Sequence, residues 1–438
     1  MYKTVNIIVK RNQKELMSYC KESCELAKQM KNTVIFRCRQ ILSADRKSFS
    51  DLHTNEIQIL NEFDMTDDKR NGRKLRLPGW MRFDAVFKKT ANPDYYNNLA
   101  MQSSQQIIKE TLLDFKGYFA SLKKYAKYPE SFTGRPKLPH YVKSSQCSFN
   151  ITNQDAVIKT GTNGNRYLKL PKTKVTVALN SDIEGTLKEV IIKPFYDVYK
   201  ISIVLEESVM VPDYYDNGRI LGLDLGVDNF ATSNNNCGLT PFIINGRNLK
   251  AYNQWYNKEL SKLRSYIMKQ KRFTSKRMNQ LNRDHYCHTN DFYNKAASYI
   301  IKYCISNDIR TIVIGKNDGW KQNINIGRQN NQTFCFIGHA IFIKKLTLLA
   351  ARYDIKVIET EESYTSKASL LNMDDMTADT IFSGRRIKRG LYKTQEGICI
   401  NADVNGAGNV IRKVFTDAFT NIKDMSYMYK TVHRIQIV

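Results

Sequence analysis

The sequence predicts a multidomain α+β protein: a small β-barrel interrupted by a helical block, followed by a second α+β domain with a helical insertion. Three observations carry this. Residues 145–208 break into short β-like runs separated by turn residues such as Gly161, Asn163, Gly164 and Asn165, the pattern of a small barrel. Residues 12–45 and 94–127 instead carry helical periodicity, with Leu16, Cys20, Cys24, Ala27 and Met30 on one face of the first. Beyond Arg219 the elements run β-β-β-α-β-α-β-α.

In chain order, KTVNIIV (3–9) reads as one strand that joins the barrel, so the helical block becomes an insertion between barrel strands. The boundaries read as 1–10 with 132–212 for the barrel, 11–131 for the helical block, 213–418 for the second domain and 419–438 for a tail with no assigned place. FTGRPKLPHY, with Gly134, Pro136 and Pro139, closes the block. In the second domain RILGLDLGVDNFATSNNNCGLTPFIING gives three strands. Helices follow over about 248–281 and 290–305, then the strand TIVIG (311–315), a helix near 337–353, the strand IKVIET (355–360), the loop GRRIKRG (384–390) and a last helix from Asp403. This order is that of the ribonuclease-H fold with an insertion after the third strand.

Composition narrows the partner. Among 438 residues, 68 Lys and Arg face 42 Asp and Glu, a net charge of +26, which calls for a polyanion. No apolar run is long enough to span a bilayer, and the charge is not gathered on an amphipathic helix, so a membrane partner is not expected. MYKTVNIIVKRNQ lacks the order of a secretory signal. Nine scattered cysteines without a CxxC predict reduced thiols, with Cys20 and Cys24 as helix packing. His285, Cys287 and His288 have no second cluster at zinc spacing, so no metal is expected there.

Two acids stand out. In GLDLG, Leu221, Leu223 and Leu225 share one strand face, and Gly222 and Asp224 share the other. A carboxylate in an apolar strand is costly unless paired or metal-bound, and Gly222 leaves space beside it. The plain alternative is that Asp224 caps the next turn. In INADVNGAGNVIRKVF, Val404, Ala407, Ile411 and Val414 form the stripe of a helix opened by Asp403. Asp403 is either a carboxylate favoured by the helix dipole or a metal ligand beside Asp224. Gly406, Ala407 and Gly408 let that helix approach a sheet closely.

With these motifs in view, the chain resembles the TnpB family of transposon-encoded, RNA-guided nucleases, related to the compact type V CRISPR effectors. GLDLGVDNFAT resembles the family's first nuclease motif, INGRNLKAYNQWYNKELSKLRS the approach to its helical insertion, SYTSKAS the segment after the fifth strand, and INADVNGAGNVIRK the third motif. GRPKLP and the strands after it resemble the end of the wedge barrel. The resemblance implies a RuvC-type nuclease domain, a β-barrel wedge domain and an inserted helical recognition domain. It also implies a guide RNA, double-stranded target DNA with its displaced strand, a short target-adjacent motif, and a cytoplasmic, nucleoid-associated place in a prokaryotic cell.

Two departures matter. The family usually ends its fourth strand in Glu, and Gly315 stands there instead. Some branches of the family take the second acid from the end of the fifth strand, here ETEESYTS. Strands one, four and five would be parallel, so the fifth lies roughly 10 Å from the first. Glu361 is the favoured acid, Glu362 the alternative, Glu359 the least suited because it lies inside the strand, and Asp318 an outside candidate. The family's paired CxxC zinc ribbon is also missing, since residues 367–402 hold only Cys399, so no structural zinc is expected.

The resemblance then implies hydrolysis by two Mg²⁺ ions, with Mn²⁺ as substitute. Asp224 would bridge both ions, and Glu361 and Asp403 would hold one each. Lys262, Arg264, Lys269, Lys271, Arg272, Lys276 and Arg277, with Arg385, Arg386, Lys388 and Arg389, are the expected phosphate contacts. Arg283 completes the basic run from 262. Trp80, Phe83 and Phe87 either stack on bases or pack in a core. The competing reading is a nuclease-inactive RNA-guided DNA binder or repressor, favoured by Gly315. A third is a strand-transfer transposase that needs no guide.

Overall fold

The structure is a computed structural model that describes residues 2–75, 99–180, 183–207, 214–316 and 337–437. Asp318, Trp80, Phe83 and Phe87 lie outside the described residues. The chain divides into two compact units, 1–208 and 209–438.

In the first unit, β1 (Tyr2–Ile8) pairs antiparallel with β7 (Val198–Glu206), from Tyr2 opposite Glu206 to Ile8 opposite Lys200. With β6 (Thr186–Phe195) and β2 (Phe149–Thr152) they form a sheet of order β1-β7-β6-β2. Strands β3 (Val157–Thr160), β4 (Arg166–Lys169) and β5 (Thr176–Leu179) form a second sheet. The expected single barrel is therefore, among the described residues, two antiparallel sheets. Between β1 and β2 run α1 (Lys14–Ala44), α2 (Thr54–Glu62), α3 (Thr66–Arg70) and α4 (Met101–Lys127). α1 buries Leu16, Cys20, Cys24, Ala27 and Met30, the stripe its periodicity predicts. Burial pushes the Cys20 thiol up to about 12, as suits packing rather than reactivity.

In the second unit, β8 (Ile220–Leu225), β11 (Thr311–Gly315) and β12 (Lys356–Thr360) run parallel. β9 (Asn229–Asn235) and β10 (Phe242–Asn245) extend the sheet antiparallel on the other side of β8. The full order is β12-β11-β8-β9-β10-β16, where β16 (His433–Ile435) lies parallel to β10. The tail thus supplies an edge strand.

The predicted helices at 248–281 and 290–305 are instead α5 (Arg247–Lys269) and α6 (Lys276–Ser306). The break falls earlier because Lys271 takes a left-handed φ of 52° and Ser275 caps α6, its side chain accepting from the Met278 amide. The basic run is therefore a helix end, a turn and a new helix.

Both faces of the parallel strands are covered, which explains their near-continuous apolar character. Leu221, Leu223, Ile312 and Ile314 pack with Phe292, Ala296 and Ile300 of α6 and with Phe342 and Leu346 of α7 (His339–Ala350). Ile220 and Val313 face Val404, Val410 and Ile411 of α8 (Ala402–Val414). Gly222 lies on the α8 face. A Cβ there would sit 2.2 Å from the Ala407 carbonyl oxygen and 2.6 Å from Ile411 Cγ1. The space expected for an ion is filled by the helix. Gly222→Ala is expected to cost about 3 kcal/mol, because a backbone oxygen cannot yield as a side chain can. Hydrogen exchange of the β8 amides measures it.

Candidate active site

Period-2 alternation that buries Leu223 and Leu225 turns Asp224 toward α8. Asn401 caps α8, its Oδ1 accepting from the amides of Asp403 (3.0 Å) and Val404 (3.2 Å). Asp403 thereby stands in the first turn, where the helix dipole favours a carboxylate. Its Oδ2 accepts from Asn229 Nδ2 at 2.7 Å, and its Oδ1 from Arg386 Nη2 at 3.1 Å. Gly406 makes room for Asp224, since a Cβ at 406 would lie 2.9 Å from Asp224 Oδ2.

Gly315 ends β11, and its missing side chain is explained by Glu362. A Cβ at 315 would fall 2.4 Å from Glu362 Oε1, 2.7 Å from Cγ and 2.9 Å from Cδ. The Glu362 carboxyl occupies the space that a side chain on the fourth strand would claim. Burial pushes it up to about 7, with Glu361 adding to the rise. Asp224 is raised well above the usual carboxylate range, first by burial, then by Asp403 and Glu362, while Arg386 pulls the other way.

Glu361 does not join them. It is exposed, pairs with Lys413 and accepts from the Ser363 amide at 2.8 Å. These bonds hold it near 2. Glu359 pairs with Lys316 on the sheet edge. The favoured second acid thus points into an ion pair, and the alternative lies beside Asp224.

A cavity of about 860 Å³ opens over Asp224 and Asp403. Asp228 also lines it, with Arg247, Arg386, Arg389 and Arg434. The segment 385–401 forms a three-stranded antiparallel sheet of β13 (Arg385–Lys388), β14 (Leu391–Lys393) and β15 (Cys399–Asn401). Arg385 and Lys388 are exposed on it. Arg386 pairs with Asp403, and Arg389 with Asp228 at 2.8 Å. Among the described residues no three His, Cys, Asp or Glu side chains form a ready metal shell. Lys262, Arg264, Lys269, Lys271, Arg272, Lys276 and Arg277 are all exposed, with Lys262 paired to Glu259, whereas Arg283 is buried and donates to Gln280. Arg247, Arg434 and Asp228 escaped sequence reasoning. Asp228 follows Asp224 closely enough to have been noticed, but nothing in the sequence brings residue 434 to residue 224.

A pH dependence follows. Between about 4.5 and 7 the folded, metal-free chain holds a proton on Glu362 that the unfolded chain releases, so stability falls as pH rises. His285, lowered to about 4 by burial and His288, acts oppositely up to its unfolded value near 6.5. The difference between wild type and Glu362→Gln isolates the carboxyl. The variant's melting temperature, measured without divalent metal, should gain on wild type as pH goes from 5 to 7.5.

In this mixed α/β unit, Asp224 near the C-terminal end of a parallel strand and Asp403 in the first turn of α8 line one cavity together with four arginines. Residues 203–321 match the OrfB_IS605 family model, described as a probable transposase. No curated protein matches it in sequence. Among solved structures it is similar to Cas12f1 in an sgRNA–target DNA complex, at 14% identity over 94% of this chain and 98% of that one, with a TM-score of 0.34. It is also similar to the mini-RNA-guided endonuclease CRISPR-Cas_phi3, at 10% identity over 94% and 92%, with a TM-score of 0.43. No helix among the described residues is long and apolar enough to cross a membrane.

Proposed function

We propose that the chain is an RNA-guided DNA endonuclease, transposon-associated, that hydrolyses target DNA beside a short adjacent motif. In this reading the second unit is the ribonuclease-H-like, RuvC-type nuclease domain. The first combines the wedge strands with an inserted recognition domain. The observation that carries the proposal is buried Asp224, packed against α8 beside Gly406, with Asp403 and Glu362 both close enough to raise it. Burial and mutual repulsion raise Asp224, and Glu362 fills the place left by Gly315. That filling favours the nuclease over an inactive binder.

The donor set suits Mg²⁺ or Mn²⁺: it is all oxygen, and its repulsion is relieved by a divalent cation. Asp224 would hold two ions, with Glu362 and Asp403 holding one each. When bound, the ions supply an activated water and neutralise the leaving oxygen. The chain's residues orient the rest. Asn229 aims the Asp403 carboxylate, and Arg386 and Arg389 bring positive charge to the cavity mouth. The exposed basic residues from Lys262 to Arg277 serve RNA and DNA phosphates. Base pairing with a guide RNA reads the target sequence, and the protein reads duplex shape and the adjacent motif. A cytoplasmic, nucleoid-associated location belongs to the same proposal.

The test is cleavage of a plasmid library with a randomised flank by the chain purified with the RNA it carries. Cutting at sites matching that RNA, beside one fixed motif and only with divalent metal, supports the reading. Tight guided binding without any cut would leave a repressor. Cutting and joining without RNA would leave a strand-transfer enzyme.

A further inference from the structure

Four arginines line the acid cavity, and they differ in their commitments. Arg386 and Arg389 are each spent on an acid, Asp403 and Asp228. Arg247 and Arg434 form no side-chain hydrogen bond or ion pair with any described residue, and both are exposed. Arg247 reaches Asp228 only through its field.

These two arginines are brought together by the sheet edge. Arg247 opens α5 just after β10, and Arg434 sits in β16, opposite Ile243 of β10. Asn245 ties both segments: its Oδ1 accepts from the Arg247 amide at 3.0 Å, and its Nδ2 donates to Gln436 Oε1 at 3.1 Å. Ile435 and Ile437 pack on the core, so alternation turns Arg434 and Gln436 the other way. The His433 amide donates to the Pro241 carbonyl at 2.9 Å and holds the strand start.

We propose that Arg247 and Arg434 form a phosphate clamp for a single nucleic-acid strand entering the cavity. They would grip backbone phosphates beside the one to be cut, and this rests on the nuclease reading above. The charge arithmetic favours it. Asp403 is paired with Arg386, and Asp228 with both Arg389 and Lys250, so Arg247 and Arg434 add positive charge that no acid lining the cavity already claims. Two uncommitted guanidinium forks supply the opposite charge in the geometry that phosphate oxygens accept. The clamp also accounts for the C-terminal strand, which brings Arg434 to the site.

The test measures binding without cleavage. In an Asp224→Asn background, a short fluorescent single strand is titrated with the full chain at several salt concentrations. Arg247→Gln and Arg434→Gln should each weaken binding about fivefold at about 0.1 M salt and flatten the logarithmic salt slope by about 0.7, the contribution of one phosphate contact to a single strand. The double variant should lose about 25-fold, and Arg434→Lys should recover part of the loss. Lys423→Gln, an exposed tail cation that does not line the cavity, should change neither quantity. An unchanged slope in the double variant, or an equal loss in Lys423→Gln, overturns the clamp. So does loss of hydrogen-exchange protection at β16 in the arginine variants, which would make their role structural. A chain that binds through this pair yet never cuts keeps the clamp and sinks the nuclease reading. One that cuts with an unaltered KM in the double variant sinks only the clamp.

Discussion

Asp224→Asn should lower guided DNA cleavage at least about a thousandfold, roughly 4 kcal/mol of transition-state stabilisation, while leaving guided binding within about twofold. The asparagine keeps the side-chain shape between β8 and α8 but removes the charge that would hold both ions. The same change should stabilise the metal-free chain. Asp224 is buried against Asp403 and Glu362, so its ionised form is resisted by the fold. A neutral amide removes that penalty at neutral pH. Plasmid linearisation, filter binding and melting without metal give the three readouts. Cleavage at the wild-type rate would remove Asp224 from the reaction and the nuclease reading with it. A loss of cutting accompanied by a fall in melting temperature would mean that the substitution had damaged the strand.

The second large effect separates neighbours. Glu362→Ala should reduce cleavage by about a thousandfold or more, and Glu361→Ala by no more than a few-fold, since Glu361 is engaged with Lys413 away from Asp224. Gly315→Glu alone should also lower cleavage, because its Cβ would push the Glu362 carboxyl from its place beside Asp224. The double variant Gly315→Glu with Glu362→Gly should recover a substantial share of activity, because it returns the acid to the end of the fourth strand and vacates the space it needs. Equal losses from Glu361→Ala and Glu362→Ala would mean that both acids serve the site, and no recovery in the double variant would mean that the two positions are not interchangeable.

Much of this site could be read before any coordinates. Period-2 alternation set Asp224 opposite the leucines of its strand, and the stripe Val404, Ala407, Ile411 set Asp403 at a helix start. Both rest on regular elements whose side-chain directions follow from the backbone. The choice between Glu361 and Glu362 did not follow, because both lie past Thr360, where the strand ends and alternation no longer holds. What favours Glu362 is the place its side chain takes beside residue 315, and Gly315 was visible only as a missing acid. The helix break at 270–275 had a local signal in Ser275 as a cap, which the strong basic periodicity around it overrode. The tail strand had one too, since VHRIQIV alternates. Three residues are too few to announce a strand unless the neighbouring edge is known. Gly222 was misread for a related reason: a glycine beside a carboxylate fits either an ion or a close helix, and only packing distinguishes them.

The contact between Gly315 and Glu362 also bears on how such a site changes over generations. A side chain at 315 displaces the Glu362 carboxyl from the place it now holds, because both would fill the same few ångströms. On the nuclease reading, moving the acid from the end of one strand to the end of the other takes two substitutions. Placing Glu at 315 first displaces Glu362, and losing Glu362 first leaves the site without its acid. The two states are separated by a fitness valley, and descendants of a chain that has crossed it should inherit glycine and glutamate as a linked pair.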